Sequence, residues 1–347
     1  MSPIPFERFM DDALYGPAGF YMSGDSGAGR RHDFLTSPEV GPLFGTVLAR
    51  FLDAEWTRLG RPDPFVVAEA GAGPGTLART VIAARPACHA AMRYIAVEPS
   101  PGQRERHPAG VESQAELPSS PFTGVIIANE LLDNLPFRLA VHDGRWREAL
   151  VDAASDGRFL ELLSAPLDPL PGVLPVRAPH GARAPLQERA AAWVTDARSR
   201  LASGTLVVFD YTSPTTGALA VRPWRDWLRT YRGHQRGGHY LDQPGTQDIT
   251  ADVCIDQLPE PDTLRTQAQW LQLYGISELV DEGRAYWEAN AARPDVAAMR
   301  MRSRASEAAA LLDPDGLGGF TVLEWRATLV EVDENRAVST EDDGQPT

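Results

Sequence analysis

Short apolar runs alternate with glycine-rich loops and amphipathic segments through the middle of the chain. The runs at 65–70, 94–97, 124–128 and 205–209 have the length of strands buried in a sheet. Apolar residues at helical spacing follow the first run as far as Arg85. Strands that alternate with helices predict a parallel sheet with right-handed crossovers, and therefore a doubly wound α/β fold.

Two helices are predicted before the first strand. Apolar residues between 6 and 14 lie on one face of a short amphipathic helix. A longer helix is predicted to begin at Thr36, with Pro38 in its first turn and Glu39 completing a capping box, and to end at Gly60.

Two insertions interrupt the alternating pattern. Residues 138–164 predict an antiparallel meander with Asp-Gly turns, and a proline-rich stretch at 165–185 is predicted to be irregular. The second insertion, 212–261, is rich in Gly, Pro, His and Arg. Beyond it, helix is predicted over 263–310, and a strand pair near 320–332.

Charge and composition narrow the classes of function. A formal net charge of −14 argues against a nucleic-acid partner, although an acidic surface would attract a basic polypeptide. All 33 basic side chains are arginine, which excludes lysine Schiff-base chemistry. Two distant cysteines offer neither a disulfide framework nor a zinc site. Without a leader-like start or a long apolar run, the expectation is a cytoplasmic protein with no membrane segment.

The strongest chemical signal is the glycine-rich segment 66–76, VVAEAGAGPGT. A glycine loop between a strand and a helix lets a ligand approach the backbone closely. The carboxylate of Glu69 would repel a pyrophosphate and attract the ammonium of a methionine moiety. Glu98 ends the next apolar run, where a carboxylate can accept two hydrogen bonds from ribose hydroxyls. Glu116 is either an adenine-side contact or an exposed loop residue.

A third polar group follows the buried run at 124–128. Asn129, Glu130 and Asp133 are placed at the rim of the same predicted cleft. One of them is expected to cap a helix. Carboxylates at this rim could grip a guanidinium through two hydrogen bonds and orient its nitrogen towards a methyl group.

Together these segments resemble the MidA-like methyltransferases, a family that includes a mitochondrial complex I assembly factor that methylates a protein arginine. The resemblance covers nearly the whole chain. It is carried by residues 15–17, 33–40, the glycine loop, 97–101, 129–136, 231–234, 244–251 and 320–323.

The resemblance implies a class I methyltransferase fold, in which the last strand is antiparallel, and S-adenosyl-L-methionine as the cofactor. The implied cofactor contacts are Thr36, Ser37, Glu39, Glu69, Gly71, Ala72, Gly73, Gly75, Glu98, Pro99 and Asn129. The implied catalytic residues are Asn129, Glu130 and Asp133, and the implied substrate contacts are Tyr15, His234, Asp248 and Thr250. It further implies a protein substrate that presents an arginine, with no metal.

The predicted units follow from this assignment. They are a helical cap over the cofactor site (1–60), a cofactor-binding core (61–137 and 200–334, with the insertion 212–261), a meander with an irregular insertion (138–199) and a disordered tail (335–347). Two departures from the family pattern stand out. Pro74 replaces an arginine that is frequent in the loop, and 235–241 diverges, which affects the substrate more than the cofactor.

Several alternatives remain open at this stage. The chain could methylate a small molecule at oxygen or nitrogen, or bind the cofactor and act mainly by holding a partner protein, and the sequence leaves a homodimer open. A metal pair at His234 and His239 is disfavoured because no carboxylate completes it. The arginines and aromatics at 222–231 are interpreted as a packed helix with solvated arginines.

Overall fold

The computed structural model describes residues 2–22, 36–233 and 235–328. Its helices are α1 (Phe6–Tyr15), α2 (Ser37–Val40), α3 (Pro42–Arg58), α4 (Thr76–Ala84), α5 (Pro101–Arg104), α6 (Glu188–Ser199), α7 (Thr216–Ala220), α8 (Trp224–Trp227), α9 (Gln267–Leu273), α10 (Ile276–Asn290) and α11 (Val296–Leu311).

Its strands are β1 (Ile4–Pro5), β2 (Phe65–Ala70), β3 (Met92–Val97), β4 (Glu112–Gln114), β5 (Phe122–Asn129), β6 (Arg138–His142), β7 (Trp146–Ala153), β8 (Phe159–Pro166), β9 (Arg183–Leu186), β10 (Leu201–Asp210), β11 (Thr212–Ser213), β12 (Leu228–Arg232), β13 (Gln235–Arg236), β14 (Asp248–Ala251), β15 (Val253–Cys254), β16 (Thr263–Thr266) and β17 (Thr321–Ala327).

A seven-stranded sheet with the order β16-β17-β10-β5-β2-β3-β4 organises the molecule. Strands β4, β3, β2, β5 and β10 are parallel, whereas β17 runs antiparallel to both β10 and β16. Residues such as Val67 and Val125 pack against α3, α4 and the C-terminal helices, while Ala68 and Ile126 pack against α6 on the opposite face. The predicted doubly wound sheet with an antiparallel strand is therefore confirmed.

The predicted helix from Thr36 to Gly60 is wrong in its first turns. It is divided into α2 and α3 at Gly41, because Pro42 has no N–H to continue the ladder and its ring disfavours helical geometry at the residue before it. The predicted capping box is absent as well, because the Thr36 side chain makes no capping hydrogen bond.

The C-terminal prediction is wrong at its start. Residues Thr263–Thr266 form the strand β16, and helix begins only at Gln267, where Thr266 and Gln269 form a capping box. Of the predicted strand pair near 320–332, the described residues contain β17, whose partners are β10 and β16, while 329–332 lie outside the described residues. Alternation over four residues was too short to distinguish β16 from a first helical turn.

The predicted meander is present as β6, β7 and β8, and its sheet is larger than predicted. Both β1 and β8 pair with β7, and β9 pairs with β6, so the end of the stretch expected to be irregular is a strand. Helix α1 packs on this sheet and on the insertion, with Phe6, Phe137 and Trp227 in one shared apolar core. A second core therefore stands beside the main sheet.

The predicted units are divided differently in the structure. Residues 1–60 are not one cap, since α1 belongs to the second core and α3 covers the main sheet. Helix α6 likewise belongs to the main core, although it was grouped with the meander. The predicted tail lies outside the described residues, as does His234.

Two further structural possibilities for the described residues are a membrane-spanning helix and a metal-binding group of side chains. None of the described helices is long and apolar enough to cross a bilayer. Within the same residues, His, Cys, Asp and Glu side chains form no group of three or more that could hold a metal ion.

Gly124 in β5 provides a test of the sheet register. It lies between Val66 of β2 and Gly204 of β10, and an added Cβ would come within 1.8 Å of the Val66 carbonyl oxygen. We expect Gly124→Ala to lower the free energy of unfolding by about 3 kcal/mol, because backbone atoms of a central strand cannot move aside. Chemical denaturation measures this, with Gly172→Ala, where a Cβ meets no atom within 4 Å, as the control. Equal stability of the two variants would contradict the register.

Candidate active site

A cavity of about 460 Å³ opens at the carboxyl ends of β2, β3 and β5. Ligands of doubly wound sheets bind at this edge, since strand ends and helix N-termini converge there. The predicted site residues that line it are Tyr15, Thr36, Glu39, Glu69, Gly71, Ala72, Gly73, Glu98, Pro99, Asn129 and Glu130. Glu116 lines it as well, and so do Tyr21, Gln103, Trp193, Asp196 and Arg200, which were not predicted.

The loop between β2 and α4 holds three glycines in left-handed conformations. The φ angles are +70° at Gly71, +51° at Gly73 and +76° at Gly75, where a side chain is disfavoured. Gly73 donates its N–H to Glu98 Oε2 at 3.0 Å, and a Cβ added to Gly73 would meet no atom within 4 Å. Gly75 instead faces inward, where a Cβ would lie 2.9 Å from Pro108. Gly71 and Gly73 therefore line the cavity, whereas Gly75 shapes the loop.

Glu69 lies in β2, just before the loop, and is 6% exposed. Burial raises the pKa of its carboxyl to about 7, against the opposing effect of a hydrogen bond from the Tyr94 hydroxyl at 2.7 Å. A cation in the cavity would favour the ionised form and relieve part of the cost of burial. The position agrees with the predicted contact to an ammonium group.

Glu98 follows β3 and both braces the loop and lines the cavity. Its carboxylate accepts the N–H groups of Gly73 and Ser100, which oppose the rise of its pKa caused by burial. A carboxylate has about four acceptor positions, so two remain for hydroxyls of a ligand. This is the arrangement that the ribose prediction requires.

Glu130 follows β5 in a conformation that few residues other than glycine adopt. Its φ is +50°, and its N–H donates to the Phe209 carbonyl at 2.8 Å, which fixes the turn. Burial, and next the charge of Asp133, raise the pKa of the Glu130 carboxyl to about 8, against a hydrogen bond from the Asn129 amide. Asn129 Oδ1 is buried and has no hydrogen-bond partner among the described residues. Strained backbone and an unpartnered acceptor together indicate a binding function here.

Asp133 is 3% exposed and is not among the residues that line the cavity. Its Oδ2 accepts the Thr250 hydroxyl at 2.5 Å, while Oδ1 lacks a hydrogen-bond partner in the part of the chain that the structure describes. Burial raises its pKa, and the pKa of the neighbouring Asp210 lies well above its usual range for the same reason. Asp133 thus does not line the cavity that Glu130 lines, and its contact with the substrate stays a prediction.

Two tyrosines form one wall of the cavity, and a buried carboxylate supports them. Tyr15 and Tyr21 are stacked with ring centroids 5.6 Å apart. Asp248 accepts the Tyr21 hydroxyl at 2.9 Å and the Asn134 amide at 3.0 Å, and burial raises its pKa to about 7. The predicted substrate contacts Asp248 and Thr250 therefore lie behind the wall. Their side chains form hydrogen bonds that join β14 to the turn after β5.

Three further predictions have mixed outcomes. Ser37 is fully buried and donates its hydroxyl to Gln267 at 2.9 Å, so its side chain does not close over the cavity. Glu39 does line the cavity and accepts the Thr76 hydroxyl at 2.8 Å. The predicted contact at His234 falls on a residue outside those described.

Several supporting residues were missed. His107 donates through Nε2 to the Gly73 carbonyl at 2.9 Å, and no periodic pattern surrounds it in the sequence. Tyr94 and Trp193 fit ordinary strand and helix patterns, which indicate burial but not a role. Asp210 could have been found from its position, because it is the last residue of β10, just as Glu98 directly follows the last residue of β3.

We name the buried carboxyls Glu130, Asp133, Asp210 and Asp248 the acidic cluster. Their pKa values are all raised, and burial is the first cause in each case. Each therefore releases free energy if a cation approaches, because a buried anion is costly until it is paired. Together with the glycine loop, Glu69 and Glu98, the site fits a nucleoside ligand that carries positive charge, next to a second cation.

The raised pKa of Glu130 makes the ligand-free fold sensitive to pH. A carboxyl with a folded pKa of about 8 stabilises the fold fully below its unfolded pKa, and this stability is lost as the pH rises towards 8. Glu130→Gln cannot ionise, so it is expected to gain about 3 kcal/mol relative to the wild type between pH 5 and pH 8. Urea denaturation at both pH values measures this, and an unchanged difference in stability would contradict the assignment.

The chain matches known proteins along most of its length. A family model described as "Putative S-adenosyl-L-methionine-dependent methyltransferase" matches residues 47–274. The chain is 30% identical over 295 residues to the mitochondrial protein arginine methyltransferase NDUFAF7 homologue of Drosophila melanogaster, covering 72% of this chain and 64% of that protein. Mouse NDUFAF7 is 27% identical over 297 residues, which is 74% of this chain and 65% of the relative.

A solved structure extends these similarities to the fold. A Burkholderia thailandensis protein bound to S-adenosyl-homocysteine is 28% identical, with a TM-score of 0.78 over 93% of this chain and 87% of that chain. The chain spans slightly less than two thirds of the length of the two curated relatives. Given the family match over 47–274, the class I sheet and the loop between β2 and α4, the chain belongs to this family of S-adenosyl-L-methionine-dependent methyltransferases.

Proposed function

We propose that the chain binds S-adenosyl-L-methionine and methylates a guanidinium nitrogen of an arginine in a partner protein. The observation that carries this proposal is the acidic cluster beside the glycine loop, where the pKa of four carboxyls is raised. Such a site favours a cationic acceptor over a neutral one. The relatives named as protein arginine methyltransferases support the same assignment.

The cofactor side is formed by the ends of β2 and β3. The bound cofactor supplies a methyl group that is already activated by a positively charged sulfur. Glu69 binds the ammonium of its methionine moiety, Glu98 accepts hydrogen bonds from ribose hydroxyls, and the backbone at Gly71 and Gly73 allows close approach. The loop is also held at Pro74, because the Pro74 carbonyl accepts a hydrogen bond from the Arg79 side chain at 3.2 Å.

The acceptor side is formed by Glu130, Asn129 and the tyrosine wall. An arginine side chain has a pKa above about 12, so proton removal before the reaction is unfavourable and the enzyme must orient a charged group. Glu130 and the unpartnered Asn129 Oδ1 accept hydrogen bonds from the guanidinium, while Tyr15 and Tyr21 exclude water from one side. Asp133 acts indirectly, because its negative charge raises the pKa of the Glu130 carboxyl.

Methylation of a guanidinium nitrogen leaves one proton to be removed. Glu130 lines the cavity and its carboxyl has a pKa of about 8, so it can hold that proton near neutral pH. The methylated guanidinium keeps its positive charge. The chain's own residues therefore position the acceptor, exclude water and accept the proton.

The test is transfer of a labelled methyl group from S-adenosyl-L-methionine into a lysate of cells that lack the gene. We expect label in protein, with methylarginine after hydrolysis, and a matching methylarginine peptide that is missing from the knockout by mass spectrometry. Label in a small metabolite instead of protein would overturn the arginine assignment while keeping the cofactor. Full cellular function of a variant that cannot bind the cofactor would indicate that partner binding is the main role.

A further inference from the structure

A second cavity of about 320 Å³ lies in the insertion, and the proposed reaction does not use it. Three arginines line it, Arg225, Arg229 and Arg236, together with the aromatic residues Trp224 and Tyr240. We name it the basic cavity. The chain as a whole has a net charge of −14, so a cavity of positive charge is unusual on this surface.

The helix predicted over this segment ends at Trp227, and the strand β12 begins at the next residue. The change of secondary structure replaces helical spacing with strand alternation, so the arginines do not lie along one solvated helix face. Arg225 remains in α8, Arg229 is in β12, and Arg236 comes from β13, which pairs with β12. Three different elements therefore bring guanidinium groups to one cavity.

The aromatic ring of Trp224 holds Arg225 in place. The Arg225 guanidinium lies 4.2 Å from the ring centroid, and that of Arg183 lies 4.9 Å from it. Arg183 forms an ion pair with Glu161 at 2.5 Å, but Arg225 forms none with any described residue. Stacking orders the guanidinium plane and leaves its in-plane N–H groups available, which is the geometry that binds a carboxylate through two hydrogen bonds.

The other two arginines add donors beside Arg225. Arg236 donates to the Arg225 carbonyl at 2.6 Å, which brings the two residues together. Arg229 has a carboxylate partner, Asp252, at 2.9 Å. The acidic residue Asp242, near the cavity, accepts the His239 N–H at 3.0 Å. Arg225 and Arg236 are therefore a pair of exposed guanidinium groups with no carboxylate of their own among the described residues.

The basic cavity adjoins the proposed acceptor site through one strand pair. Arg229 is the register partner of Thr250, whose hydroxyl donates to Asp133 in the acidic cluster. A protein that places an arginine over the acidic cluster therefore has its neighbouring residues within reach of β12. An acidic side chain in those residues would complement the basic cavity and be repelled by most of the remaining surface.

We infer that the basic cavity binds an Asp or Glu carboxylate of the protein substrate, close in space to the arginine that is methylated. This inference rests on the proposed function. It assigns Arg225 and Arg236 as residues that select the substrate and that take no part in the transfer itself. The substrate is then a surface on which an arginine and an acidic residue lie near each other.

The test uses fluorescein-labelled hexaglutamate as the probe and the full chain, with binding followed by fluorescence anisotropy at low ionic strength. We expect saturable binding to the wild type, because the rest of the acidic surface repels the probe. The double variant Arg225→Gln and Arg236→Gln should bind at least about tenfold more weakly. The matched control carries Arg145→Gln and Arg158→Gln. These substitutions remove the same amount of charge from two exposed arginines of the meander.

The outcomes separate this inference from the proposed function. Equal weakening by both double variants would mean a general charge effect and would overturn the inference. Displacement of the probe by inorganic phosphate at lower concentration than by acetate would make the cavity a phosphate site and would also overturn it. S-adenosyl-L-methionine binding by calorimetry should be equal in the wild type and the double variant. No cofactor binding by the wild type would overturn the proposed function. Failure of the wild type to bind the probe while it still binds the cofactor would overturn this inference alone.

Discussion

Replacement of Gly73 by aspartate is expected to weaken the binding of S-adenosyl-L-methionine by at least about 100-fold, which corresponds to about 3 kcal/mol. Gly73 lines the cavity, and an added Cβ would meet no protein atom within 4 Å, so the new side chain would occupy space that the ligand needs. The new carboxylate would also lie close to Glu98, which accepts the Gly73 N–H. Isothermal titration calorimetry measures the loss.

The matched control is Gly157→Asp in the hairpin between β7 and β8. Gly157 also has a positive φ, +82°, and a Cβ there likewise meets no atom within 4 Å. The two variants therefore share the backbone strain and the added charge, and they differ in whether the side chain enters the cavity. Cofactor affinity of Gly73→Asp within a few-fold of that of Gly157→Asp would exclude the glycine loop as the binding element.

Glu130→Gln is expected to lower kcat for methyl transfer by about 10³-fold, with cofactor affinity changed by less than about threefold. Glutamine keeps the shape of the protonated carboxyl, which is the form that the pKa of about 8 favours in the ligand-free protein. The fold should therefore persist. The variant cannot accept the proton that leaves the guanidinium, and it has lost the charge that binds this group.

Glu116→Gln is the control, since Glu116 also lines the cavity but is exposed and lies away from the acidic cluster. Its kcat should stay within about threefold of the wild type. Single-turnover transfer into the protein substrate separates the chemical step from cofactor binding. A Glu130→Gln enzyme that turns over at the wild-type rate would remove Glu130 from the reaction and leave the acidic cluster without a catalytic role.

The cofactor half of the site could be predicted from the sequence because its chemistry is local. Gly71, Gly73 and Glu69 lie in one strand and loop, and Glu98 follows the adjacent strand, so strand order alone brings them together. The main sheet was predictable for the same reason. Buried strands of a parallel sheet are continuous apolar runs, and their positions are visible without knowledge of the rest of the chain.

The acceptor half could be predicted only in part. Glu130 was found by its position after β5, but Tyr21 comes from a distant segment whose contacts depend on how the second core packs. Asp248 and Thr250 were predicted as substrate contacts, yet they do not line the cavity and support its wall from behind. Sequence pattern places a residue near a strand end, whereas its depth behind a wall is set by tertiary packing.

The division of helix at Gly41 and the strand β16 show a related limit. Both errors concern boundaries, where a proline or four alternating residues must be weighed against a long periodic pattern. The long periodic elements were predicted, whereas their ends and the short strands β9, β12 and β16 were not.

The position of β17 has a consequence for how the chain folds as it is synthesised. This strand is among the last described residues to be made, yet it lies between β10 and β16 and is the pairing partner of both. Until residue 327 has left the ribosome, β10 keeps an open edge and β16 has no neighbour in the sheet. An exposed edge of a central sheet invites pairing with other chains. Ribosome-bound chains that end before residue 321 should therefore depend on chaperones. A premature stop codon before residue 321 removes β17 and should yield aggregated protein and not a shortened enzyme.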